Sequence, residues 1–374
     1  MYPDFRFPCI KIPTFRILLL SFAALLFIGC KNQDSDPEPV IQTIKLSEVH
    51  NLAMLDNEDF IVDFQFDQSG TLWVVAFWSG LYRLSGDEIT SFNTSNSPLP
   101  DNRINDIFID HLNRLWIATN NGFAKYDHET WEVYTIENTP LAIPRISQIS
   151  VNKQEEILLG NGDVLNGGLS FRNQEGIWKS FTAGNSNLPC NVIYEIELTE
   201  SDDFWISTAQ FQGVGGVVKF ENETIGQVLN VENSGLLYNH IDNIEIDEEN
   251  IWIGYWAAIF NEFGVPEGGI QRVNPESNNI MSFFPNETEL VSNRITAMKL
   301  HSDNSLWFAT VVDDPGCENC FSGIGVIPAS GNIVAVSALN SDIASNIYYT
   351  KLNEDNLGNM YVASEHSLYL LELK

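Results

Sequence analysis

Residues 104–127 read INDIFIDHLNRLWIATNNGFAKYD, and this stretch decides the fold. It contains three short runs of β-branched and aromatic residues, and a polar turn separates each run from the next. A fourth run follows at residues 131–136, ahead of a loop that contains Pro and Asn. The apolar residues show no helical period. The stretch therefore predicts four short consecutive strands in one small antiparallel sheet.

The same pattern recurs along the whole chain. One position in the second run of each unit holds an aromatic residue or a leucine, at Trp73, Trp116, Leu158, Trp205, Trp252, Trp307 and Tyr361. Consecutive positions are 42 to 55 residues apart, close to the period of roughly 40–50 residues that is typical of four-stranded propeller blades. We therefore predict an all-β protein, a seven-bladed β-propeller of four-stranded antiparallel blades over residues 41–374. The repeated tryptophans are interpreted as core between the blades.

The two ends of this region predict how the ring closes. The last unit, from Tyr348 onward, supplies only three strands, whereas the run at residues 41–46 precedes the first complete unit and has no partner. Pairing that run with the last unit hides two sheet edges. We therefore expect the ring to be closed by an N-terminal strand that completes the last blade.

The repeat resembles a known family. The pattern Ile-x-x-Ile-x-x-Asp-x-x-Gly-x-Leu-Trp-Ile-Ala-Thr-x-x-Gly-Leu, visible at residues 61–81 and 104–123, is similar to the two-component regulator propeller repeat. In that family such propellers often form the periplasmic sensor half of hybrid histidine kinases and detect oligosaccharides. The sequence up to Lys374 contains no kinase. The resemblance therefore implies a stand-alone bacterial lipoprotein form, in which the propeller and a disposition to bind ligands are retained.

The N-terminal segment predicts export. Arg6, Lys11 and Arg16 precede the apolar segment 17–28, which is shorter than the roughly 20 residues of a membrane-spanning helix. The sequence Phe27-Ile28-Gly29-Cys30 that follows resembles a bacterial lipobox. An ordinary signal peptide with a chance cysteine is the alternative interpretation.

The lipobox resemblance implies the organisation of the whole N-terminal region. Residues 1–29 are expected to be a lipoprotein signal peptide, Cys30 the lipidated residue, and residues 30–40 a flexible tether. The expected location is the cell envelope of a Gram-negative bacterium, as an outer-membrane lipoprotein that is periplasmic or surface-exposed.

The charge balance excludes one class of partner. The chain has 19 Lys and Arg against 50 Asp and Glu, a formal net charge of −31 at pH 7. Such a surface repels the phosphates of nucleic acid, so no nucleic-acid partner is expected. The 44% of hydrophobic residues is ample for a globular core.

The cysteines favour a disulfide over a metal site. Cys317 and Cys320 are expected to form a local disulfide, since export places them in an oxidising compartment. A metal site at this pair needs two further ligands, and none is near in sequence. We predict no metal and no cofactor. Whether Cys190 is free is left open.

A set of cationic residues is the first candidate site. The residue before the first strand is Arg103, Arg145, His240 or Arg294 in four of the units. Because first strands line the channel of a propeller, these residues are expected to circle its mouth, where they can bind a carboxylate or a sulfate. The alternative is structural, in which the same residues tie neighbouring blades together.

Aromatic residues on uneven loops are the second candidate. The loops between second and third strands are short in most units, but are long at residues 256–268 and 311–322. Insertions on one face of a repeat protein often mark its binding side. Trp78, Tyr255 and Trp256 lie on or beside such loops and are predicted to be stacking platforms for a sugar or a peptide. Packing of these rings against the blades is the alternative.

Signals for catalysis are few. The sequence contains no HExxH, Gly-x-Ser-x-Gly or phosphate-binding motif, and its six histidines are scattered. We therefore predict a non-catalytic, lipid-anchored protein that binds a glycan, a peptide or an envelope protein on the face with the insertions. The alternatives are a propeller enzyme of the polysaccharide lyase or glycoside hydrolase type, acting at the channel mouth, and an envelope scaffold subunit.

Overall fold

The computed structural model describes residues 44–51, 59–210, 213–255, 259–260, 266–284, 292, 294–311, 322–329, 331, 333–337 and 348–373. The chain divides into the units Met1–Ile41 and Gln42–Lys374, and all described residues belong to the second. The predicted signal peptide, Cys30, the tether, Trp256, Cys317 and Cys320 lie outside the described residues. Within the described part, no helix is long and apolar enough to cross a membrane.

The structure is a seven-bladed β-propeller, which confirms the predicted fold class. The chain starts with β1 (Ile44–Asn51). Blade 1 contains β2 (Ile61–Phe66), β3 (Leu72–Ala76), β4 (Gly80–Ser85) and β5 (Glu88–Phe92). Blade 2 contains β6 (Ile104–Ile109), β7 (Leu115–Thr119), β8 (Gly122–Asp127) and β9 (Thr130–Tyr134). Blade 3 contains β10 (Gln148–Val151), β11 (Ile157–Asn161), β12 (Gly168–Arg172) and β13 (Trp178–Phe181). Blade 4 contains β14 (Ile193–Leu198), β15 (Phe204–Gln210), β16 (Val214–Glu221) and β17 (Thr224–Leu229).

The remaining blades follow the same plan. A four-residue helix, α1 (Val231–Ser234), leads into blade 5, which contains β18 (Asn243–Ile246), β19 (Ile251–Gly254), β22 (Ile270–Val273) and β23 (Ile280–Phe283). Its long loop carries a separate pair, β20 (Ile259–Phe260) and β21 (Pro266–Glu267). Blade 6 contains β24 (Ile295–Leu300), β25 (Leu306–Thr310), β26 (Gly323–Ile327) and β27 (Val334–Ser337). Blade 7 contains β28 (Tyr349–Glu354), β29 (Met360–Ser364) and β30 (Ser367–Leu373).

The ring closes through β1, as the sequence predicts. β1 pairs antiparallel with β30, from Ile44 opposite Leu373 to Asn51 opposite Ser367, and is the fourth strand of blade 7. The strand runs later in sequence than the predicted segment 41–46, of which only residues 44–46 are described. Pairing the first strand with the last leaves no blade with a missing strand.

Seven clusters of buried apolar side chains lie between neighbouring blades. The cluster between blades 1 and 2 contains Trp73 of β3 beside Ile107 of β6, and the cluster between blades 4 and 5 contains Trp205 of β15 beside Ile244 of β18. The five second-strand tryptophans are only 4–5% exposed. The repeated tryptophans are therefore core between blades, as predicted, and the ring is stabilised at each interface by apolar burial.

Two ends of the blades carry different connections. The turn face carries the tight turns between first and second strands and between third and fourth strands. The loop face carries the loops between second and third strands and the loops from one blade to the next.

In blades 1, 2, 5 and 7 an aspartate organises the turn between the first and second strands. In blade 2, Oδ1 of Asp110 accepts the backbone N–H groups of Leu112 and Arg114, at 3.0 and 2.9 Å. Its Oδ2 accepts Nε of Arg114 at 2.6 Å and Nε1 of Trp116 at 2.9 Å. In blades 1, 2 and 5 this acid thus holds its own turn and accepts a hydrogen bond from the tryptophan of the next strand.

In blades 1 to 4, a glycine at or near the start of the third strand is required by geometry. Gly122 has a φ of 101°, and a Cβ at this position would overlap the carbonyl oxygen of Tyr134 on the neighbouring strand. Gly80, Gly168 and Gly216 have the same positive φ and the same close approach to the fourth strand. The recurrent glycine therefore permits a backbone conformation that other residues rarely adopt.

Candidate functional site

The channel is lined by charged side chains of the first strands, which the sequence analysis did not single out. Two positions of each first strand face the axis. The upper position carries Asp63, Asp106, Gln148, Glu195, Asn243, Ala297 and Lys351, and the lower position carries Gln65, Phe108, Ser150, Glu197, Glu245, Lys299 and Asn353. Five carboxylates thus share the channel with two lysines.

Three of these carboxylates link one blade to the next. Asp63 accepts the backbone N–H of Ile107 at 3.3 Å, and Asp106 accepts that of Ile149 at 2.8 Å. Glu195 accepts the backbone N–H of Ile244 at 2.6 Å. Each bond runs from one first strand to the first strand of the following blade, so these acids have a structural role in the ring.

Burial and mutual repulsion change the protonation of the channel acids. Burial, together with the charge of Asp63, raises the pKa of Asp106 to about 8. Burial raises the pKa of Glu197 to about 8, and the charge of Glu245 adds to the effect. Burial raises the pKa of Glu195 to about 7. Near neutral pH these three carboxyl groups are therefore at least partly protonated, whereas a carboxyl group in water is ionised.

The two lysines are held in their charged form. Burial lowers the pKa of Lys351, but the nearby charges of Asp63, Glu195 and Asp106 outweigh burial and raise it above the ordinary value. Lys299 donates to Glu245 at 3.0 Å, and the pKa of Lys299 is raised in the same way. A ligand that enters the channel therefore meets both signs of charge.

A small cavity of about 180 Å³ occupies the end of the channel at the loop face. It is lined by Asp63, Asp106, Glu195, Asp242 and Lys351, together with uncharged residues that include Asn105, Gln148 and Tyr194. Arg103, Arg145, His240 and Arg294 are not among the described residues that line it. The predicted cationic ring therefore does not line the opening, where acids predominate.

Arg103 and Trp78 form the most exposed platform on the loop face. The guanidinium carbon of Arg103 lies 4.1 Å from the ring centroid of Trp78 and 4.9 Å from that of Phe77. Trp78 is 50% exposed. Within the described part of the chain, the guanidinium has no acidic partner and its buried Nε has no hydrogen-bond acceptor. Arg103 is thus a cation held by aromatic rings.

Asp59 fixes the loop that carries Trp78. Its carboxylate accepts the backbone N–H of Trp78 at 2.9 Å and that of Ser79 at 3.1 Å, and also accepts the Ser79 hydroxyl. Asp59 is 2% exposed, and the rings of Phe60 and Phe77 stack with centroids 4.7 Å apart. The short β3–β4 loop is therefore fixed before any ligand binds, which reduces the entropy lost on binding.

His240 forms a second polar group near the channel mouth. Its Nε2 lies 3.1 Å from Oδ1 of Asp242, and its ring centroid lies 5.4 Å from that of Tyr194. The hydrogen bond to Asp242 raises the pKa of His240 above its ordinary value. Burial raises the pKa of the Tyr194 hydroxyl, and the charge of Asp242 adds to this effect.

The other two arginines have different surroundings. Arg145 lies against the β11–β12 loop, since a Cβ at Gly162 would be 3.4 Å from its Nη1. No described acid forms an ion pair with Arg145. Arg294 precedes β24 and donates its backbone N–H to Ser292 at 3.3 Å.

The structure contradicts one of the predicted stacking platforms. Tyr255 is 0% exposed, and its hydroxyl donates to Gln271 Oε1 at 2.6 Å. Its ring packs in the core between blades 4 and 5. The prediction for Tyr255 is therefore wrong, because the ring turns inward from the start of the loop, where its hydroxyl finds a buried acceptor.

The sequence analysis missed several exposed apolar side chains of the loop face. Leu165 is 83% exposed and Val164 is 43% exposed, both in the β11–β12 loop. Tyr194 and Val214 are 38% and 42% exposed. Val164 and Leu165 lie a few residues after β11, and Tyr194 and Val214 lie at the starts of β14 and β16. The position of each residue within its repeat unit is therefore the sequence signal that could have identified it.

The loop face thus combines the guanidinium groups of Arg103 and Arg145, which have no acidic partner among the described residues, with exposed aromatic and aliphatic side chains. This arrangement suits a ligand with a carboxylate or sulfate and an apolar face.

Within the described residues, no group of three or more His, Cys, Asp or Glu side chains is arranged to hold a metal ion. Cys190 is a free, buried cysteine.

Comparisons with known proteins identify the repeat. A family model for the two component regulator propeller matches residues 98–121, which confirms the predicted repeat family for that segment. No curated protein matches the sequence. The chain is similar in structure to the extracellular domain of a candidate hybrid two-component system from B. thetaiotaomicron, with a TM-score of 0.62 and 18% identity. That match covers 88% of this chain but 39% of the other, so the chain spans well under half the length of that protein domain.

A second group of similar structures consists of lyases. Virginiamycin B lyase from Staphylococcus aureus has a TM-score of 0.64 and 15% identity, with 89% of this chain and 100% of the lyase covered. A catalytically inactive variant of the same lyase, with a histidine replaced by alanine, was solved with quinupristin at 14% identity and the same TM-score. At these identities the likeness shows the propeller fold alone.

Proposed function

We propose that this chain is an extracytoplasmic, lipid-anchored propeller that binds an acidic ligand on its loop face. The ligand class is an oligosaccharide or a peptide that carries a carboxylate or sulfate, or an envelope protein that presents one. Arg103 and Arg145 bind the anionic group, and Trp78 stacks on a sugar ring or an apolar side chain.

The observation that carries the proposal is the state of Arg103. On a chain with a net charge of −31, an arginine beside acidic loops is expected to form an ion pair. Arg103 instead lies on Trp78 at 4.1 Å and has no acidic partner in the described residues. A guanidinium whose fork is open toward solvent binds a carboxylate through two parallel hydrogen bonds.

The same geometry argues against the purely structural interpretation of this arginine. A residue that ties blades together donates to backbone or acid groups of the neighbouring blade, as Asn105 does to the carbonyl of Ile146 at 2.7 Å. The Arg103 guanidinium makes no such bond.

Export and lipid anchoring are supported by the N-terminal sequence. The basic and apolar segments before Gly29-Cys30 and the polar stretch after Lys31 are those of a lipoprotein signal and tether. The similarity to an extracellular sensor domain agrees with a location outside the cytoplasm.

The proposal is tested by calorimetric titration of residues 41–374 with oligogalacturonate and with the matched neutral oligogalactoside. We expect the acidic oligosaccharide to bind and the neutral one to bind at least tenfold more weakly. Arg103→Ala and Trp78→Ala should each weaken binding at least tenfold. Arg83→Ala, which removes an arginine from β4 of the same blade, is the control and should change the affinity less than twofold.

Two results contradict the proposal. One is equal affinity for the acidic and neutral oligosaccharides, and the other is an equal loss in the Arg103 and Arg83 variants. If neither oligosaccharide binds, acidic peptides and sulfated glycans are tested in the same way, and the absence of binding to all of them removes the acidic-ligand assignment.

A second candidate function is catalysis at the channel mouth, which the pair of His240 and Asp242 favours. Their contact at 3.1 Å beside Tyr194 gives a titratable base and a second proton donor close together. Because Asp242 raises the pKa of His240, the neutral form that acts as a base accumulates only at higher pH than for a free histidine.

Turnover of the ligand identified by titration tests this second function. A lyase or hydrolase should release product at a rate that rises with pH through the titration of His240, and His240→Ala should abolish the product. Binding without turnover at any pH, or full turnover in His240→Ala, excludes this site as the catalytic one.

A further inference from the structure

A second cavity lies on the turn face, opposite the loops that carry Arg103. It is a groove of about 870 Å³ between blades 4 and 5, within the range of roughly 300–1,000 Å³ that ligand sites occupy. The β14–β15, β18–β19 and β22–β23 turns form its walls. Apolar side chains lie along its floor, namely Leu198, Trp205, Ile246, Ile251 and Pro275.

Trp205 brings an unused hydrogen-bond donor to this groove. The equivalent indoles of Trp73, Trp116 and Trp252 each donate to the aspartate of their own turn, at 3.4, 2.9 and 3.0 Å. In blade 4 that position holds Thr199, whose hydroxyl bonds to Asp203 and Ser201 instead.

The Trp205 N–H therefore lacks the carboxylate acceptor that blades 1, 2 and 5 provide. In blade 6 the turn position holds His301, and the N–H of Trp307 also has no acceptor among the described residues. Trp205 is only 5% exposed, and no described residue accepts a hydrogen bond from its Nε1. Both Trp205 and Thr199 line the groove. An acceptor that enters the groove can take this hydrogen bond in place of the missing carboxylate.

The walls carry uncompensated negative charge. Glu200, Glu248, Glu249 and Glu276 are exposed and line the groove, and none forms an ion pair with a described cation. Lys219, also on the lining, is already paired with Asp203 at 3.4 Å and with Glu221 at 2.6 Å. The groove therefore favours a cationic occupant.

The cation that fits is organic and has an apolar stem. The described residues include no group of acids arranged to hold a metal ion. Lysine and arginine side chains lay their methylene stems on apolar surface and keep the charged end among acids, as the floor and the walls of this groove allow. A peptide also supplies backbone carbonyl oxygens, which are the acceptors that the Trp205 N–H lacks.

We propose that the turn-face groove between blades 4 and 5 binds a basic, extended peptide segment of a partner protein. Its lysine or arginine side chains contact Glu200, Glu248, Glu249 and Glu276, and one backbone carbonyl accepts from Trp205. The site is separate from the loop face, so the chain has one surface for an acidic ligand and another for a basic partner.

Hexaarginine and hexalysine are the probes for this site, titrated by calorimetry into residues 41–374 at low and at physiological salt. Because a polycation also binds an acidic protein at random, the comparison is between two double variants that remove the same charge. Glu248→Gln with Glu249→Gln lies in the groove, and Asp87→Asn with Glu88→Gln lies in the exposed β4–β5 turn of blade 1. We expect the first to weaken binding at least tenfold and the second less than twofold.

The role of the Trp205 N–H is tested with one variant and a matched control. Trp205→Phe should weaken binding about threefold, since it removes one neutral hydrogen bond, and should leave the salt dependence unchanged. Trp307→Phe changes the equivalent residue of blade 6, which is also 5% exposed but does not line the groove, and should have no effect. Melting temperatures of all variants verify that the ring is folded.

Three outcomes overturn the proposal. The first is the absence of saturable binding of either peptide, and the second is an equal loss in the two double variants. The third is binding of spermine or a chitosan oligomer in preference to both peptides, which assigns the groove to another class of cation. Arg103→Ala should leave peptide binding unchanged, so a failure here is distinct from a failure of the loop-face site.

Discussion

Two acids of one repeat unit, Asp110 on the turn face and Asp106 in the channel, are used in opposite ways. Asp110 accepts four hydrogen bonds, two from backbone N–H groups and two from the side chains of Arg114 and Trp116. Asp106 accepts one bond, from Ile149, and faces Asp63 across the channel wall. The turn acid is therefore satisfied by four hydrogen bonds, whereas burial and the charge of Asp63 raise the pKa of the channel acid and favour its protonated form.

The positions of the repeat unit differ in how often the same residue recurs from blade to blade. Aspartate or asparagine holds the turn in blades 1, 2, 3, 5 and 7, through Asp67, Asp110, Asn152, Asp247 and Asp355. On the loop face an asparagine recurs with the same contacts in the loops that leave blades 1 to 4, as Asn96, Asn138, Asn185 and Asn233. Recurrence therefore marks what stabilises the ring, and a departure such as Thr199 marks a surface that is available for another role.

The largest expected effect is the loss of a turn acid. Asp110→Ala leaves the Nε–H of Arg114 and the N–H of Trp116 without an acceptor, while Glu155 still pairs with Nη1 of Arg114 at 2.7 Å. We expect the substitution to lower the free energy of unfolding by about 2–4 kcal/mol. Chemical denaturation at neutral pH measures this. The control is Asp87→Ala in an exposed turn, where a change above about 0.5 kcal/mol is not expected. Similar effects of the two substitutions would contradict the assigned role of Asp110.

The next largest expected effect is an increase in the free energy of unfolding. The raised pKa of Asp106 means that the folded chain binds a proton there between about pH 4 and pH 8, whereas the unfolded chain has lost it, so stability falls as the pH rises through this range. Asp106→Asn removes that loss and keeps an acceptor for the Ile149 N–H. We expect it to raise the free energy of unfolding by about 1–2 kcal/mol at pH 8 and to have little effect near pH 4.

Denaturation curves of Asp106→Asn and of wild type at four pH values between 4 and 8 measure this difference. Asp87→Asn removes an exposed carboxylate as the control, and its curves should follow those of wild type. A variant that is destabilised at pH 8 shows that the Asp106 carboxylate stabilises the ring in its ionised form.

A smaller effect comes from giving blade 4 the acid that the other turns have. Thr199→Asp places a carboxylate beside the Trp205 N–H, and we expect a gain of about 0.5–1 kcal/mol in the free energy of unfolding. Ser201→Asp adds the same charge to the same turn without reaching the indole, and is not expected to stabilise. Equal changes in the two variants indicate an effect of charge alone. Urea denaturation of both variants measures these changes in the free energy of unfolding.

The smallest effect is expected on the loop face. Leu165 is 83% exposed, so Leu165→Ser should change the free energy of unfolding by less than about 0.5 kcal/mol. Leu169→Ser, four residues later in β12 and 1% exposed, should cost several times more. If Leu165→Ser melts like Leu169→Ser, the loop packs on the blades and is not a free surface.

The fold was predictable because its determinants are local and repeated. The spacing of Trp73, Trp116, Trp205, Trp252 and Trp307 gave the blade, and the unpaired run near residue 44 gave the closing strand. The recurrent Asp and Gly residues contact residues of their own repeat unit, as Asp110 does at its turn and Gly122 does at the start of its strand.

The site was predictable only in part, because it depends on directions that sequence spacing does not specify. Arg103 and Trp78 do meet, but they belong to neighbouring blades, and the arginine points to the preceding loop and not to the channel. Tyr255 turns inward because Gln271, sixteen positions later, accepts its hydroxyl. The channel acids follow an apolar residue by two positions in Ile61-Val62-Asp63, Ile104-Asn105-Asp106 and Ile193-Tyr194-Glu195, a pattern that alternation along a strand can reveal.

The pairing of β1 with β30 also sets the order of events during folding. Lys45 and Glu372, which meet at 3.5 Å, are 327 positions apart, so the ring cannot close until almost the whole chain has been synthesised. Until then β1 and β30 present open edges to other chains. We therefore expect aggregation to begin from chains in which this last pairing has not yet formed.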